Sequence, residues 1–254
     1  MFRNEGLIFL SLPAVTNLVV DIGNSSVKAS FVIGTSLGEV IRFEGEDVIS
    51  FIAALTENRK PNVMAISSVR KLSQNFLNSA EQMCDKLVVV NQETKLLMAN
   101  RYATPATLGS DRLMAAYGAK SLFPGKSCII FDFGTALTID FVSEKNEFSG
   151  GNISLGMRSR FKALNDYTQQ LPLVDTPIDF VSPGGSTKEA IESGVILGLI
   201  FEIEGYMKAN PEHIYIFTGG DAIYFAKKLK SSIFVVYNLV LMGLARVAEY
   251  YAKS

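Results

Sequence analysis

The chain has 254 residues, of which 48% are hydrophobic and 19% are charged, and its formal net charge is −1 at pH 7. This composition supports an ordinary folded core and gives no electrostatic support for nucleic-acid binding. The only histidine is His213, and the two cysteines, Cys84 and Cys128, lie far apart in the sequence. This argues against a zinc site, and against Ser–His or Cys–His dyads unless His213 supplies the base.

Residues 1–16 precede the first predicted strand. Their short apolar run follows Arg3 and weakly resembles a signal peptide, but it lacks a good cleavage site, so we interpret the segment as a dispensable extension. No run in the sequence is long and apolar enough for a convincing membrane span. We therefore expect a cytoplasmic protein with neither a membrane nor a nucleic-acid partner.

The next part of the chain begins with three apolar strands joined by tight turns, which predicts an antiparallel meander. Helices and strands then alternate, which predicts a mixed sheet covered by helices. The predicted elements are strands at 18–22, 27–33 and 39–43, a helix at 47–55, a strand at 63–67, a helix at 74–84 and a strand at 87–90.

After an irregular stretch at 91–108 and a helix at 111–122, the opening pattern returns. The further elements are strands at 127–131, 137–142 and 147–153, helices at 158–167 and 188–208, a strand at 213–217, a helix at 222–228, a strand at 233–237 and a helix at 240–253. This recurrence predicts a duplicated α/β protein whose halves, 17–115 and 116–254, face each other across a cleft.

An Asp-x-Gly turn ends the first strand of each half, at Asp21 and at Asp132. Glycine lets such a turn approach a phosphate closely, its N–H groups can donate to phosphate oxygens, and the aspartate suits a hydrated Mg²⁺ ion. Lys28 can offset phosphate charge, while Asn24 and Thr135 offer hydrogen bonds. One such turn is usually only structural, but two in matching positions favour nucleotide binding. Neither a P-loop nor a dinucleotide-binding motif is present.

Two glycine-rich stretches of the second half allow two interpretations each. Residues 218–221 (Thr-Gly-Gly-Asp) follow a strand, where they form either an ordinary turn or a contact with the adenosine part of a nucleotide. Residues 184–187 precede the long helix, so Thr187 either caps that helix or reaches a ligand in the cleft.

Residues 109–112 (Gly-Ser-Asp-Arg) lie at the start of a predicted helix, where free N–H groups favour an anion or a polar ligand. Asp111 could be the base that accepts the proton of a hydroxyl substrate, as an aspartate does in other phosphotransferases. It could equally be a residue that caps the helix.

These motifs together closely resemble the type III pantothenate kinases, within the acetate and sugar kinase, Hsp70 and actin superfamily. The resemblance covers about Asn17 to Tyr251. It rests on residues 21–28, 67–69, 102–112, 132–140 and 150–153, on Thr187 with Ile191 and Gly194, and on residues 218–220.

The resemblance implies two duplicated ribonuclease H-like, or actin-like, domains with ATP in the interdomain cleft. It also implies ATP-dependent phosphorylation of pantothenate to 4′-phosphopantothenate, the first step of coenzyme A biosynthesis, by a homodimer that uses Mg²⁺ or a similar divalent cation. By this analogy Asp111 accepts the hydroxyl proton, and Asp132 binds a monovalent cation, K⁺ or NH₄⁺. The implied ATP-binding residues are Asp21, Ile22, Gly23, Asn24, Ser25, Ser26, Val27, Lys28 and Thr135, and the implied pantothenate-binding residues are Tyr102, Gly109, Ser110, Asp111, Arg112 and Thr187.

The sequence departs from the family pattern in several places, including the extension before Asn17 and the unusually glycine-rich stretch at 182–187. Ser25 replaces the usual threonine and keeps its hydroxyl, whereas Leu155 replaces a proline. Three alternatives stay open: a kinase of another small hydroxylated metabolite, a non-catalytic, kinase-like transcriptional accessory protein, and a filament-forming actin-like ATPase, against which the short chain argues.

Overall fold

A computed structural model describes residues 16–254. The predicted extension lies outside the described residues, apart from Thr16, which begins the first strand. No helix in this part of the chain is long and apolar enough to cross a membrane. The cytoplasmic location stays a prediction.

The first sheet has five strands in the order β3-β2-β1-β4-β5. Strands β1 to β3 are antiparallel, while β4 pairs in parallel with β1 and β5 in parallel with β4. Its elements are β1 (Thr16–Ile22), β2 (Val27–Ile33), β3 (Ser36–Phe43), α1 (Val48–Thr56), β4 (Val63–Ser68), α2 (Gln74–Gln82) and β5 (Lys86–Val89).

The two helices of this half begin at polar caps. The side chain of Asp47 accepts a hydrogen bond from the Ser50 N–H at 3.1 Å, and that of Ser73 accepts one from the Phe76 N–H at 3.2 Å. Such caps satisfy N–H groups that have no partner inside the helix.

The second sheet has six strands in the order β11-β10-β7-β8-β9-β6. The remaining elements of the chain are β6 (Ala99–Asn100), α3 (Ser110–Leu122), β7 (Cys128–Phe133), β8 (Ala136–Val142), β9 (Glu147–Leu155), α4 (Met157–Asp166), α5 (Thr187–Ala209), β10 (Ile214–Gly219), α6 (Ala222–Ala226), β11 (Ile233–Val235) and α7 (Leu239–Ala252).

The two sheets repeat one topology. Strands β9-β8-β7-β10-β11 follow the order of β3-β2-β1-β4-β5, with the same antiparallel and parallel pairings. The predicted α/β fold, with two mixed sheets, is therefore confirmed. Because β1 and β7 hold equivalent places, the Asp-x-Gly turns that end them also hold equivalent places.

Helices α3 and α7 pack together and share one apolar core with residues of both sheets. A side chain on Gly243 of α7 would overlap the backbone carbonyl of Met114 in α3, so glycine permits this close packing. Helix α7 also contacts β1 and β4, so the last helix of the chain packs on the first sheet. Helix α3 contacts β4 of the first sheet and β7 and β8 of the second, so it lies between the two sheets. The division of the chain into halves at 115/116 stays a prediction.

Two local features differ from the sequence-based expectations. The irregular stretch at 91–108 contains the short strand β6 and a single 3₁₀ turn, Pro105–Thr107. The long helix α5 is capped by Ser186, whose hydroxyl accepts a hydrogen bond from the Glu189 N–H at 3.3 Å, so Thr187 is its first residue and not its cap.

Candidate active site

The two Asp-x-Gly turns meet at their tips. The hydroxyl oxygens of Ser25 and Thr135 lie 3.3 Å apart, although the residues are 110 positions apart in the chain. Each turn is closed by a backbone hydrogen bond of 3.0 Å, from the Gly23 N–H to Ser26 and from the Gly134 N–H to Ala136. The structure thus places the two predicted phosphate-binding turns face to face.

The residues predicted to bind ATP in the first turn divide into two groups. Ile22 and Val27 are fully buried, so their side chains anchor the hairpin in the core. Asn24 and Ser25 are exposed at its tip, where a ligand can reach them. Ser26 is half-buried between the two groups.

The pKa values of the two turn aspartates, Asp21 and Asp132, are both raised, and the charge of Asp111 contributes to each. The pKa of Asp21 is raised to about 7, first by burial and then by the charges of Asp111 and Asp132, while Lys28 opposes the shift. Burial also raises the pKa of Asp132 to about 6, again with a contribution from Asp111. One carboxylate oxygen of Asp21 is buried without a hydrogen-bond partner. A bound cation would offset the repulsion among the carboxylates and give the buried Asp21 oxygen a partner.

These carboxylates do not form a closed metal cage. Within residues 16–254, no three His, Cys, Asp or Glu side chains converge closely enough to coordinate one ion directly. Mg²⁺ usually keeps several waters and is held by one or two carboxylates together with substrate phosphates. The site therefore fits a hydrated Mg²⁺ ion that arrives with the nucleotide, held through Asp21.

The second turn is supported from two sides. The hydroxyl of Ser159, in the first turn of α4, donates to the carbonyl of Thr135 at 2.6 Å. Gly219, at the end of β10, has φ +88°, and a Cβ there would lie 2.5 Å from an Asp132 carboxylate oxygen. The glycine turn at 218–221 thus packs directly against Asp132, while its predicted adenosine contact stays a prediction.

Asp111 lies in the first turn of α3, whose cap is Gly109. One carboxylate oxygen of Asp111 accepts the Arg112 N–H at 2.8 Å, so this side chain does satisfy a free N–H at the helix start. Burial raises the pKa of the Asp111 carboxyl, although its hydrogen bond and the charge of Arg112 oppose this. Capping and a role as base are therefore compatible, because the second carboxylate oxygen is not used by that hydrogen bond.

Ser110 ties the start of α3 to the end of β4. Its hydroxyl accepts the Ser68 N–H at 3.0 Å, donates to the Ser68 carbonyl at 3.1 Å and lies 3.0 Å from the Ser67 hydroxyl. These partners already occupy the Ser110 hydroxyl. The predicted contact of Ser110 with pantothenate stays a prediction.

Arg112 forms a buried ion pair with Asp140 of β8. Its Nε and Nη2 atoms lie 2.9 Å and 2.5 Å from Asp140 Oδ1, and the two side chains are only 6% and 1% exposed. The guanidinium also lies over the ring of Tyr102, 5.6 Å from its centre. The predicted substrate-binding residues Tyr102 and Arg112 are thus brought together.

A cavity of about 510 Å³ adjoins the start of α3. Gly109 and Ser110 form part of its wall, and Leu108 and Asn100 lie beside them. Thr187 is not part of this wall. It lines a separate apolar groove between α4 and α5, of about 830 Å³. Of the six residues predicted to bind pantothenate, only Gly109 and Ser110 line the cavity at the start of α3, and Thr187 lines the separate groove.

Two residues of the site were not assigned a role from the sequence. Asp140 lies within the motif at 132–140, but no pattern in the neighbouring residues indicated its ion pair with Arg112. Arg70 follows the Ser67–Val69 motif and donates hydrogen bonds to the carbonyls of Gly23 and Asn24 in the first Asp-x-Gly turn. Both contacts join residues far apart in sequence, which a strand-and-turn pattern does not reveal.

Comparison with known proteins agrees with this geometry. A family model described as type III pantothenate kinase matches residues 17–209. The chain belongs to the type III pantothenate kinase family. A curated type III pantothenate kinase of Phocaeicola vulgatus is 39% identical over 241 residues, covering 93% of this chain and 99% of that protein. One of Cytophaga hutchinsonii is 40% identical over 240 residues, covering 92% and 99%. The predicted family is confirmed, and with it the predicted class of enzyme, an ATP-dependent kinase.

Solved structures with low sequence identity share the fold. A putative Baf family transcriptional activator from Campylobacter jejuni has a TM-score of 0.64 at 21% identity, covering 93% of this chain and all (100%) of that one. A putative 2-dehydro-3-deoxygalactonokinase from Sinorhizobium meliloti has a TM-score of 0.57 at 13% identity, covering 93% and 97%. These similarities concern the fold alone. The family model and the curated relatives favour the kinase over the transcriptional alternative.

Proposed function

We propose that this type III pantothenate kinase transfers the γ-phosphoryl group of ATP to pantothenate in the cleft between its halves, giving 4′-phosphopantothenate for coenzyme A biosynthesis. The observation that carries the proposal is that the two Asp-x-Gly turns and Asp111 lie together. The two phosphate turns touch through Ser25 and Thr135, and Asp111 lies close enough to affect the ionisation of both turn aspartates.

In the proposed reaction, the hydroxyl oxygen of pantothenate attacks the γ-phosphorus as the bond from that phosphorus to the ADP oxygen breaks. Asp111 accepts the proton that the hydroxyl loses. Its raised pKa favours this role because a stronger base takes up the proton more readily. Asn24, Ser25 and Thr135 hold the phosphates, and Lys28 offsets their charge. Mg²⁺, when bound through Asp21, supplies further positive charge to the phosphate oxygens.

The monovalent cation is assigned to Asp132. This carboxyl lies at the end of β7, and burial raises its pKa to about 6. A K⁺ or NH₄⁺ ion would stabilise its charged form beside the other two carboxylates.

The test is a phosphorylation assay with pantothenate, ATP and Mg²⁺, run with Na⁺, K⁺ or NH₄⁺ as the monovalent cation. We expect formation of 4′-phosphopantothenate and a clear rise in rate with K⁺ or NH₄⁺. A panel of sugars and hydroxy acids in the same assay serves as the control. Phosphorylation of a panel member but not of pantothenate would contradict the proposed substrate, and equal rates in all three salts would contradict the cation site.

We further propose that two copies of the chain associate through the groove between α4 and α5. Large apolar side chains near it are exposed in one chain: Tyr167 is 90% and Leu155 is 51% exposed, and both line the groove together with Thr187. Covering such a surface with a second copy would bury it from water and bring in Thr187 from the partner.

Light scattering during gel filtration measures this association. We expect twice the chain mass of 27.7 kDa, and a shift toward the single-chain mass for Tyr167→Glu. Tyr237→Glu is the matched control, since Tyr237 is also exposed, at 59%, but does not line the groove. A single-chain mass for the unaltered protein would contradict the proposal.

A further inference from the structure

Arg70 makes two hydrogen bonds to the first phosphate turn. It follows the carboxyl end of β4, which lies beside β1 in the sheet. Its Nε atom donates to the carbonyl of Gly23 at 2.8 Å, and its Nη2 atom donates to the carbonyl of Asn24 at 2.9 Å. Both acceptors are consecutive carbonyls of the turn. The rigid fork of a guanidinium group suits such a pair of acceptors.

These bonds determine where the N–H groups of the turn point. A peptide unit is planar and trans, so the carbonyl of one residue and the N–H of the next point in opposite directions. Because Arg70 holds the carbonyls of Gly23 and Asn24, the N–H groups of Asn24 and Ser25 are directed away from Arg70. Consecutive backbone N–H groups oriented in this way are a common means of binding phosphate.

The loop that carries Arg70 is itself anchored. The hydroxyl of Ser68 accepts the Arg70 N–H at 3.1 Å and donates to the Arg70 carbonyl at 2.8 Å. The backbone of Ser68 is bonded in turn to the hydroxyl of Ser110, next to Asp111. Arg70 is therefore held in place by the same contacts that hold the start of α3.

We propose that Arg70 is a positioning residue for ATP, which keeps the N–H groups of Asn24 and Ser25 oriented toward the nucleotide phosphates. The inference rests on the proposed nucleotide site and adds to it a residue outside both Asp-x-Gly turns. It also gives the first turn a support analogous to that of the second turn, where Ser159 binds the carbonyl of Thr135.

The test compares Arg70→Gln and Arg70→Lys with the unaltered protein. For Arg70→Gln we expect the Kd for Mg·ADP, measured by calorimetry, and the KM for ATP to rise roughly tenfold, as for the loss of charge-assisted hydrogen bonds. The KM for pantothenate should stay nearly unchanged. Arg70→Lys should recover part of the loss, because lysine keeps the charge but lacks the fork.

Arg59→Gln is the matched control. Arg59 is exposed, lies over the ring of Phe31 and donates to Thr16 at the opposite end of β1. We expect its nucleotide affinity to equal that of the unaltered protein. Melting temperatures are measured for every variant, so that a general loss of structure can be recognised.

Two results would overturn the role of Arg70. One is an unchanged Kd for Mg·ADP in Arg70→Gln. The other is an equal loss for both substrates together with a lower melting temperature, which would make the residue merely structural. The binding measurement needs no phosphoryl transfer, so an unaltered protein that binds Mg·ADP but does not phosphorylate pantothenate would contradict the proposed reaction and not the role of Arg70.

Discussion

Replacing Asp111 by Asn should lower kcat for pantothenate phosphorylation by about 10²–10⁴-fold, the usual contribution of a general base. Asparagine keeps the size of the side chain and can still accept the Arg112 N–H, but it cannot take up the proton of the substrate hydroxyl. Affinity for Mg·ATP should change little, because the phosphate turns are untouched. Single-turnover rates and nucleotide titration measure the two effects separately.

The matched control for this substitution is Asp85→Asn. Asp85 is an exposed aspartate that pairs with Lys60 at 3.0 Å and has no proposed role in the site. Its replacement should leave kcat near that of the unaltered protein. Near-normal turnover in Asp111→Asn would show that another group accepts the proton, and Asp111 would then serve mainly as the acceptor of the Arg112 N–H at the start of α3.

Replacing Asp140 by Ala should destabilise the protein by about 3–5 kcal/mol, the usual cost of leaving the partner of a buried ion pair uncompensated. The Arg112 side chain is only 6% exposed, so solvent cannot replace the lost carboxylate without a local rearrangement. The kinase activity should fall as well, because Arg112 follows Asp111 directly in α3. Urea unfolding measures the stability, and the pantothenate assay measures the activity.

Two further variants distinguish a charge effect from a packing effect. In the double variant Asp140→Ala/Arg112→Met no charge is left unpaired, so part of the lost stability should return, although activity should not. At the exposed Lys60–Asp85 pair, Asp85→Ala should cost only about 0–1 kcal/mol. A cost for Asp140→Ala as small as that surface value would contradict the importance of the buried pair.

The two substitutions act on different parts of one arrangement. Asp111 is proposed to take part in the chemistry, whereas Asp140 holds the residue next to it from a strand of the second half. Since α3 lies between the two sheets, the Arg112–Asp140 pair connects the helix that carries the proposed base with the sheet that carries the second phosphate turn. Loss of either contribution should therefore reduce turnover, but only the loss of Asp140 should reduce stability strongly.

The local structure could be read largely from the sequence. The strand predicted at 27–33 coincides with β2, and the predicted order of strands and helices recurs in both halves. These features depend on alternation of apolar residues, helical spacing and turn chemistry, which are properties of neighbouring residues. The two Asp-x-Gly turns, the stretch at 102–112 and the shorter motifs between and after them predicted the family by their order and combination.

Long-range placement was decided only by the tertiary structure. Gly23 and Arg70 are 47 positions apart, and Arg112 and Asp140 are 28 apart, yet each pair is joined by hydrogen bonds. The tertiary structure likewise decided that α7 packs on the first sheet and that Thr187 lies in a separate groove. Such contacts depend on how strands are ordered and helices packed, which neighbouring residues do not encode. The sequence therefore determined that two Asp-x-Gly turns exist, and the tertiary structure determined that they meet and which side chains hold them in place.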